Sequence, residues 1–198
     1  MFIQTIEGKI SDPAGLDRQL DKWQAELRSG AKGILGSTHG VTSDGTAFAI
    51  VRFDSADSAQ ANSNRPEQGE WWKETEKLYS GGVTFRDSTD VQTYLDYGDA
   101  CDNAGFVQVM QGRCTDRARL EELESGMLDQ LRNSRSSIIG MLRAWFDGDE
   151  FVQVVYFRDE AQARKEEASQ TDESGPLEEW MKLMPEIRYL DLTSPRMT

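Results

Sequence analysis

The chain contains one histidine, His39, set in the stretch GSTHGV. Imidazole has an ordinary pKa close to neutrality, so a lone histidine is the natural candidate for general acid/base work or metal ligation. In a strand it is equally an ordinary polar residue. Catalysis requires it to face a pocket and to have a partner. Trp71, Trp72 and Tyr79 suit binding rather than proton transfer. Adjacent residues on a helix point about 100° apart. The pair Trp71 and Trp72 is therefore expected to split, one packing on a sheet and the other lining a cavity or lying at a surface. Core packing is one role for such residues. Walling a flat aromatic ligand is the other. Gln4 in FIQTIEG and Gln108 in FVQVMQG lie among apolar neighbours. A buried amide needs hydrogen-bond partners, so each is either held by a structural bond or aimed into a pocket. Arg143, the counterpart of His39 in a second copy of the same pattern, and Trp180, in the helix of that copy that corresponds to the one with the tryptophan pair, complete the candidate ligand-binding set.

Other chemistry is poorly supplied. Cys101 and Cys114 are the only cysteines, and two reduced thiols suit their settings better than a disulfide. No Cys/His cluster exists, so no structural zinc site is expected. No spacing of carboxylates singles out a metal pair, and the expected cofactor set is empty. GxGxxG after a strand, a P-loop and GxSxG are all missing. The runs EELES and RKEEASQTDES read as solvated faces.

The bulk numbers narrow the partners. Of 198 residues, 37% are hydrophobic and 29% charged, a globular composition with a wet surface. The net charge is −13, which repels nucleic-acid phosphates and anionic membranes. No apolar run is long enough to span a bilayer. MFIQTIEGKI lacks the charged-then-apolar pattern of a signal peptide. The expectation is a cytoplasmic protein with no nucleic-acid or membrane partner.

The elements that must position these residues come twice. MFIQTIEGKISD (1–12) reappears as GFVQVMQGRCTD (105–116). Phe2 falls on Phe106, Gln4 on Gln108, Gly8 on Gly112 and Asp12 on Asp116. The register runs on through Leu27/Leu131, Gly36/Gly140, Phe53/Phe157 and Asp87/Asp191. A period this long means two copies of a domain rather than a solenoid. The expected boundaries are a first repeat at 1–97 that ends in a strand-like arm, a linker at 98–104, and a second repeat at 105–198.

Each copy reads β-α-β-β-α-β. FIQTIEG alternates as a strand. Asp12-Pro13 is a cap followed by proline at the first helical position. Leu16, Leu20, Trp23 and Leu27 then form a one-sided stripe. ILGSTHGV and AFAIVRF flank Asp44-Gly45 as a hairpin, and IIGMLRAWF and FVQVVYF flank Asp147-Gly148. Ser55 and Asp159 cap the next helices. The second helix of each copy is expected in two pieces, before a last strand in VTFRD or IRYLD. This order is the ferredoxin-like pattern. AFAIVRF and FVQVVYF are apolar on both sides, which argues for sheets buried on both faces. Each sheet needs a cover, and a fused second copy is a ready one.

With these residues in place, the chain resembles the dimeric α/β-barrel superfamily, and within it the antibiotic biosynthesis monooxygenase-like domains. The resemblance covers both halves and rests on unit order, the Asp-Gly hairpin and the aromatic-rich last helix. It implies an α+β chain of two tandem ferredoxin-like β-α-β-β-α-β repeats forming an intrachain pseudo-dimeric α/β barrel, with further homodimerisation left open. It also implies a small apolar or aromatic partner between a sheet and its helices. Activities in the superfamily include cofactor-independent oxidation of aromatic molecules and heme chemistry. Heme-degrading relatives carry a ligating histidine on the last helix. Here EWWKETEKLYS has tryptophan but no histidine, and Glu76 occupies the comparable stretch. The expected function is therefore a cofactor-independent monooxygenase or isomerase with His39 as its catalytic residue. The alternative is a non-catalytic binding or interaction module of the same fold.

Overall fold

Alternating β-formers at the start of the chain make β1 (Phe2–Lys9). Asp12 then caps α1 (Pro13–Lys22), its Oδ1 accepting from the Gly15 N–H at 2.8 Å. A π turn (Trp23–Leu27) extends α1. β2 (Ile34–Val41) and β3 (Thr46–Phe53) form the hairpin around Asp44-Gly45. Gly45 has φ +79° there, a left-handed conformation that side chains disfavour. Ser55 caps α2 (Ala56–Ser63), α3 (Pro66–Glu76) comes next, and β4 (Thr84–Ser88) closes the pattern. The computed structural model describes residues 1–95, 97–133, 137–169 and 176–198.

The second copy opens with β5 (Val91–Tyr94) and β6 (Phe106–Arg113). Then come α4 (Arg117–Asn133), β7 (Ile138–Phe146), β8 (Glu150–Phe157), α5 (Glu160–Ser169), α6 (Pro176–Leu183) and β9 (Ile187–Leu192). A short β10 (Arg196–Met197) ends the series. Asp116 and Asp159 cap α4 and α5 by accepting from the N–H groups of Arg119 and Gln162. Each half is thus ferredoxin-like, with its second helix in two pieces, and the chain is α+β.

The sheets run β10-β2-β3-β1-β4 and β5-β7-β8-β6-β9, and every pairing is antiparallel. The chain divides into unit 1, Met1–Thr89 with Ser194–Thr198, and unit 2, Asp90–Thr193. The arm at 91–94 therefore packs with unit 2, although the repeat pattern places it at the end of copy one. Likewise β10 completes the sheet of unit 1. Each sheet takes its edge strand from beyond the other copy's last strand.

Both central strands are buried on both faces. Ala47 to Ile50 of β3 are all buried, as is every residue of β8 from Phe151 to Phe157. Under the helices of unit 2 one apolar cluster runs through Phe106, Leu120, Trp145, Phe157 and Met184. In unit 1 the apolar residues fall into separate clusters, around Leu20 with Trp71, around Phe2 with Phe53, and around Trp23 with Leu27. Among the described residues no helix is long and apolar enough to cross a membrane.

Candidate functional site

The separated clusters of unit 1 leave a cavity of about 220 Å3 between sheet and helices. Strand periodicity builds its floor. Gln4 and Ile6 of β1, Val51 and Phe53 of β3, and Ser37 and His39 of β2 each lie two apart, so each pair shares a face. Phe85 of β4 adds a rim. Leu20 of α1, Asn62 of α2 and Gln68, Gly69, Trp71 and Trp72 of α3 form the roof with Trp23. No lining residue carries a permanent charge.

The π turn shapes this roof. An extra residue in a helical turn rotates the residues beyond it, and such bulges recur at functional sites. Here it begins at Trp23, whose Nε1–H donates to Gln68 Oε1 at 2.9 Å. Trp71 Nε1–H donates to the Gln19 carbonyl at 2.8 Å. Both indoles are thus fixed. Trp72 packs edge-on to Phe85, with ring centroids 5.1 Å apart.

His39 is the one imidazole in the cavity lining. Its Nε2 lies 2.7 Å from Ser37 Oγ, which in turn bonds the Thr198 hydroxyl. Burial, and after it the charge of Arg196, lowers its pKa to about 4. The ring is therefore neutral at pH 7. In the unfolded chain it titrates near 6.5, so the unfolded state takes up the proton first as pH falls. Its contribution to stability is full above pH 6.5 and is lost as pH drops towards 4. Urea unfolding of the parent and of His39→Gln at pH 7.5 and 4.5 should show a shallower acid loss in the variant. Equal losses would contradict the neutral ring.

The corresponding space in unit 2 is filled. Arg143 takes the place of His39, and Glu124 that of Leu20. Arg143 is 1% exposed and forks onto Glu124 at 2.8 and 2.5 Å. Its Nε donates to Gln153 at 2.8 Å. Trp180 Nε1–H donates to Glu124 at 3.0 Å. The guanidinium also lies 5.3 Å from the Trp145 ring and 5.7 Å from that of Phe151.

The candidate residues therefore separate. Gln4, His39, Trp71 and Trp72 border the cavity together. Both tryptophans border it, and Trp71 also packs into the clusters around Leu20 and around Trp23 and Leu27; the two ring centroids lie 6.2 Å apart. Tyr79 lies outside. It packs against Gly8, where an added Cβ would meet its ring at 2.8 Å, and burial pushes its hydroxyl up to about 12. Gln108, Arg143 and Trp180 border no described cavity. Gln108 donates to Asp191, and Gln4 donates to Asp87 in the same register, so the repeated glutamine makes the same bond in both copies. Trp180 lies on α6, the helix that corresponds to α3. Ser11 bonds the Leu78 carbonyl and Thr115 that of Leu183, which aligns Trp180 with Thr75.

Sequence pattern alone does not single out Trp23, Ser37, Asn62, Gln68 or Gly69. Ser37 has a local signal, since it shares a strand face with His39. Trp23 reads as one more residue of a core stripe. Nothing in the pattern marks the others.

No family model matches the chain, and no curated relative matches it. Solved structures do. A candidate monooxygenase from Lactobacillus acidophilus NCFM aligns over 98% of this chain and 95% of its own, with TM-score 0.70 and 11% identity. A second candidate monooxygenase, from Fusobacterium nucleatum subsp. nucleatum ATCC 25586, aligns over 99% and 93%, with TM-score 0.75 and 7% identity. What they share with this chain is the fold. An anthrone oxidase-like protein aligns over 100% and 92%, with TM-score 0.67 and 7% identity.

Proposed function

We propose that the cavity of unit 1 binds one small, flat, largely apolar or aromatic molecule, and that the chain acts on it as a cofactor-independent monooxygenase or isomerase. The observation that carries this reading is the cavity itself, with tryptophan and phenylalanine walls and polar groups at Ser37 and His39 on one strand and at Gln4, Asn62 and Gln68 elsewhere in the lining. Its volume of about 220 Å3 exceeds the roughly 150 Å3 of an apolar cavity that accepts benzene, and falls short of the roughly 300 Å3 at the lower end of ordinary ligand sites. The names of the full-length structural neighbours support the same reading. So does the filled counterpart in unit 2, which sets the expected stoichiometry at one ligand per chain. The reading takes the chain as a fused tandem member of the dimeric α/β-barrel superfamily, with sequence repeats at 1–97 and 105–198 joined by 98–104.

The chemistry asked of the residues is modest. Trp23, Trp71 and Trp72 supply flat apolar faces and hold the ligand plane. A ligand hydroxyl or carbonyl meets Ser37 and His39. As a neutral imidazole, His39 accepts a proton from a C–H acidified by a neighbouring carbonyl. In the oxidative form a methylene and O2 give a ketone and water, and the substrate supplies the electrons. In the isomerising form the proton returns to another carbon.

One observation favours binding without reaction. His39 titrates near 4, well below the value that suits a general base at neutral pH. Anthrone is a probe that separates the two readings. Quenching of tryptophan fluorescence should saturate at one anthrone per chain, with O2 uptake measured at an electrode. His39→Ala should retain the fold and lose O2 uptake. Saturable binding with no O2 uptake and no isomerised product would leave the binding-module reading. Absence of saturable binding across flat aromatic ketones and phenols would sink both.

A further inference from the structure

The free edge of β2 is closed by residues from far along the chain. β10 pairs antiparallel with β2, with Arg196 opposite His39 and Met197 opposite Thr38. Ser37 and Thr198 exchange both backbone hydrogen bonds, at 2.9 and 3.1 Å. Their hydroxyls are bonded, and Ser37 Oγ also meets His39 Nε2. A polar chain thus runs from Thr198 through Ser37 to the imidazole. Arg196 crosses from the sheet edge to α1, where Nη2 donates to Asp21 Oδ1 at 2.6 Å and Nη1 lies 3.6 Å from Asp17 Oδ1. A second cavity of about 190 Å3, bordered by Pro13, Leu16, Ser194 and Arg196, shares Leu20 and His39 with the first. Leu20 and His39 therefore border both the aromatic cavity and the space that Arg196 borders.

Unit 2 offers an internal contrast. There the edge strand is β5, and Gln92 lies opposite Arg143. Two cations opposite one another would repel. A cation is placed beside the neutral ring and not beside the guanidinium.

We propose that Ser194–Thr198 is a positioning strap for His39, with Thr198 orienting the ring through Ser37 and Arg196 anchoring the strap to α1 across from it. The inference deepens the proposed function, and rests on it only for the effect on ligand binding. The strap also sets the charge around the ring. The groups concerned are Arg196 on β10 and its partners Asp17 and Asp21 on α1. The residue facing His39 from β3 is Ala49, which does not titrate.

The lone histidine makes the test direct, because its ring gives one set of NMR signals. Arg196→Gln removes the charge but keeps an amide for Asp21. It should raise the His39 midpoint by about one pH unit, since a nearby cation disfavours the imidazolium. Arg196→Lys should restore the parent midpoint. Thr198→Val should shift the Nε2 resonance, and Thr198→Ser should restore it. An unchanged midpoint in Arg196→Gln, or an unchanged Nε2 resonance in Thr198→Val, overturns the strap. Anthrone affinity should fall about five-fold in Thr198→Val, the scale of one hydrogen bond. If the histidine signals move as stated while the parent binds no anthrone, the strap stands and the cavity reading falls.

Discussion

Replacing Arg143 with alanine lowers the stability of the chain by about 3–5 kcal/mol, the usual effect of stripping one partner from a buried ion pair. Three losses combine. Glu124, its side chain 12% exposed, keeps a charge with no cation beside it. Gln153 Oε1 loses the donor that holds it. The rings of Trp145 and Phe151 lose the cation packed on them. Urea unfolding followed by tryptophan fluorescence measures the sum. A loss under about 1 kcal/mol would mean that water reaches Glu124. One control isolates the stranded charge. Arg143→Met combined with Glu124→Gln should recover more than half of the loss, because the introduced amide oxygen still accepts from Trp180.

Gly69→Leu is the second large effect, and it acts on binding rather than folding. Gly69 borders the cavity within α3, and an added Cβ would meet nothing within 4 Å. Leucine there is expected to project into the space assigned to the ligand. It displaces a ligand volume equivalent to several methylene groups, each worth about 0.8 kcal/mol. The expected loss is about 2–3 kcal/mol, or roughly 30- to 150-fold in affinity. Most substitutions that block a pocket also unsettle the fold. This one removes a helix-interior glycine, so it should raise stability by about 0.5–1 kcal/mol. Titration calorimetry with anthrone, alongside urea unfolding, checks both halves. Unimpaired binding in a stable variant would place the ligand elsewhere. Lost binding with lost stability would mean that leucine does not fit, and Gly69→Ala would then separate the two effects.

Much of the frame is written locally. Asp12, Ser55, Asp116 and Asp159 each cap the helix that their spacing implies, because a cap is a contact over three residues. The Asp44-Gly45 turn is legible because glycine alone adopts its backbone angle without strain. The repeat is legible because equal spacing survives in both copies, and the α+β ferredoxin-like fold follows from it. Part of the site is also readable. His39, Gln4, Trp71 and Trp72 stand out by residue type, and they meet at one cavity.

The difference between the two copies is not readable in the same way. Leu20 against Glu124 and His39 against Arg143 are visible as substitutions, yet each is unremarkable alone. That one set encloses a cavity and the other plugs it depends on four side chains from α4, β7, β8 and α6 meeting at one point. No spacing rule links those positions. The strand exchange is hidden for a related reason. β5 and β10 are too short to declare a partner, and their pairing is settled by which sheet edge lies free to take their backbone groups. Thr198 therefore reaches Ser37 across almost the whole chain, and sets a histidine that its sequence neighbours do not explain. Local chemistry dictates the elements, and long-range packing dictates which of two like units keeps a cavity.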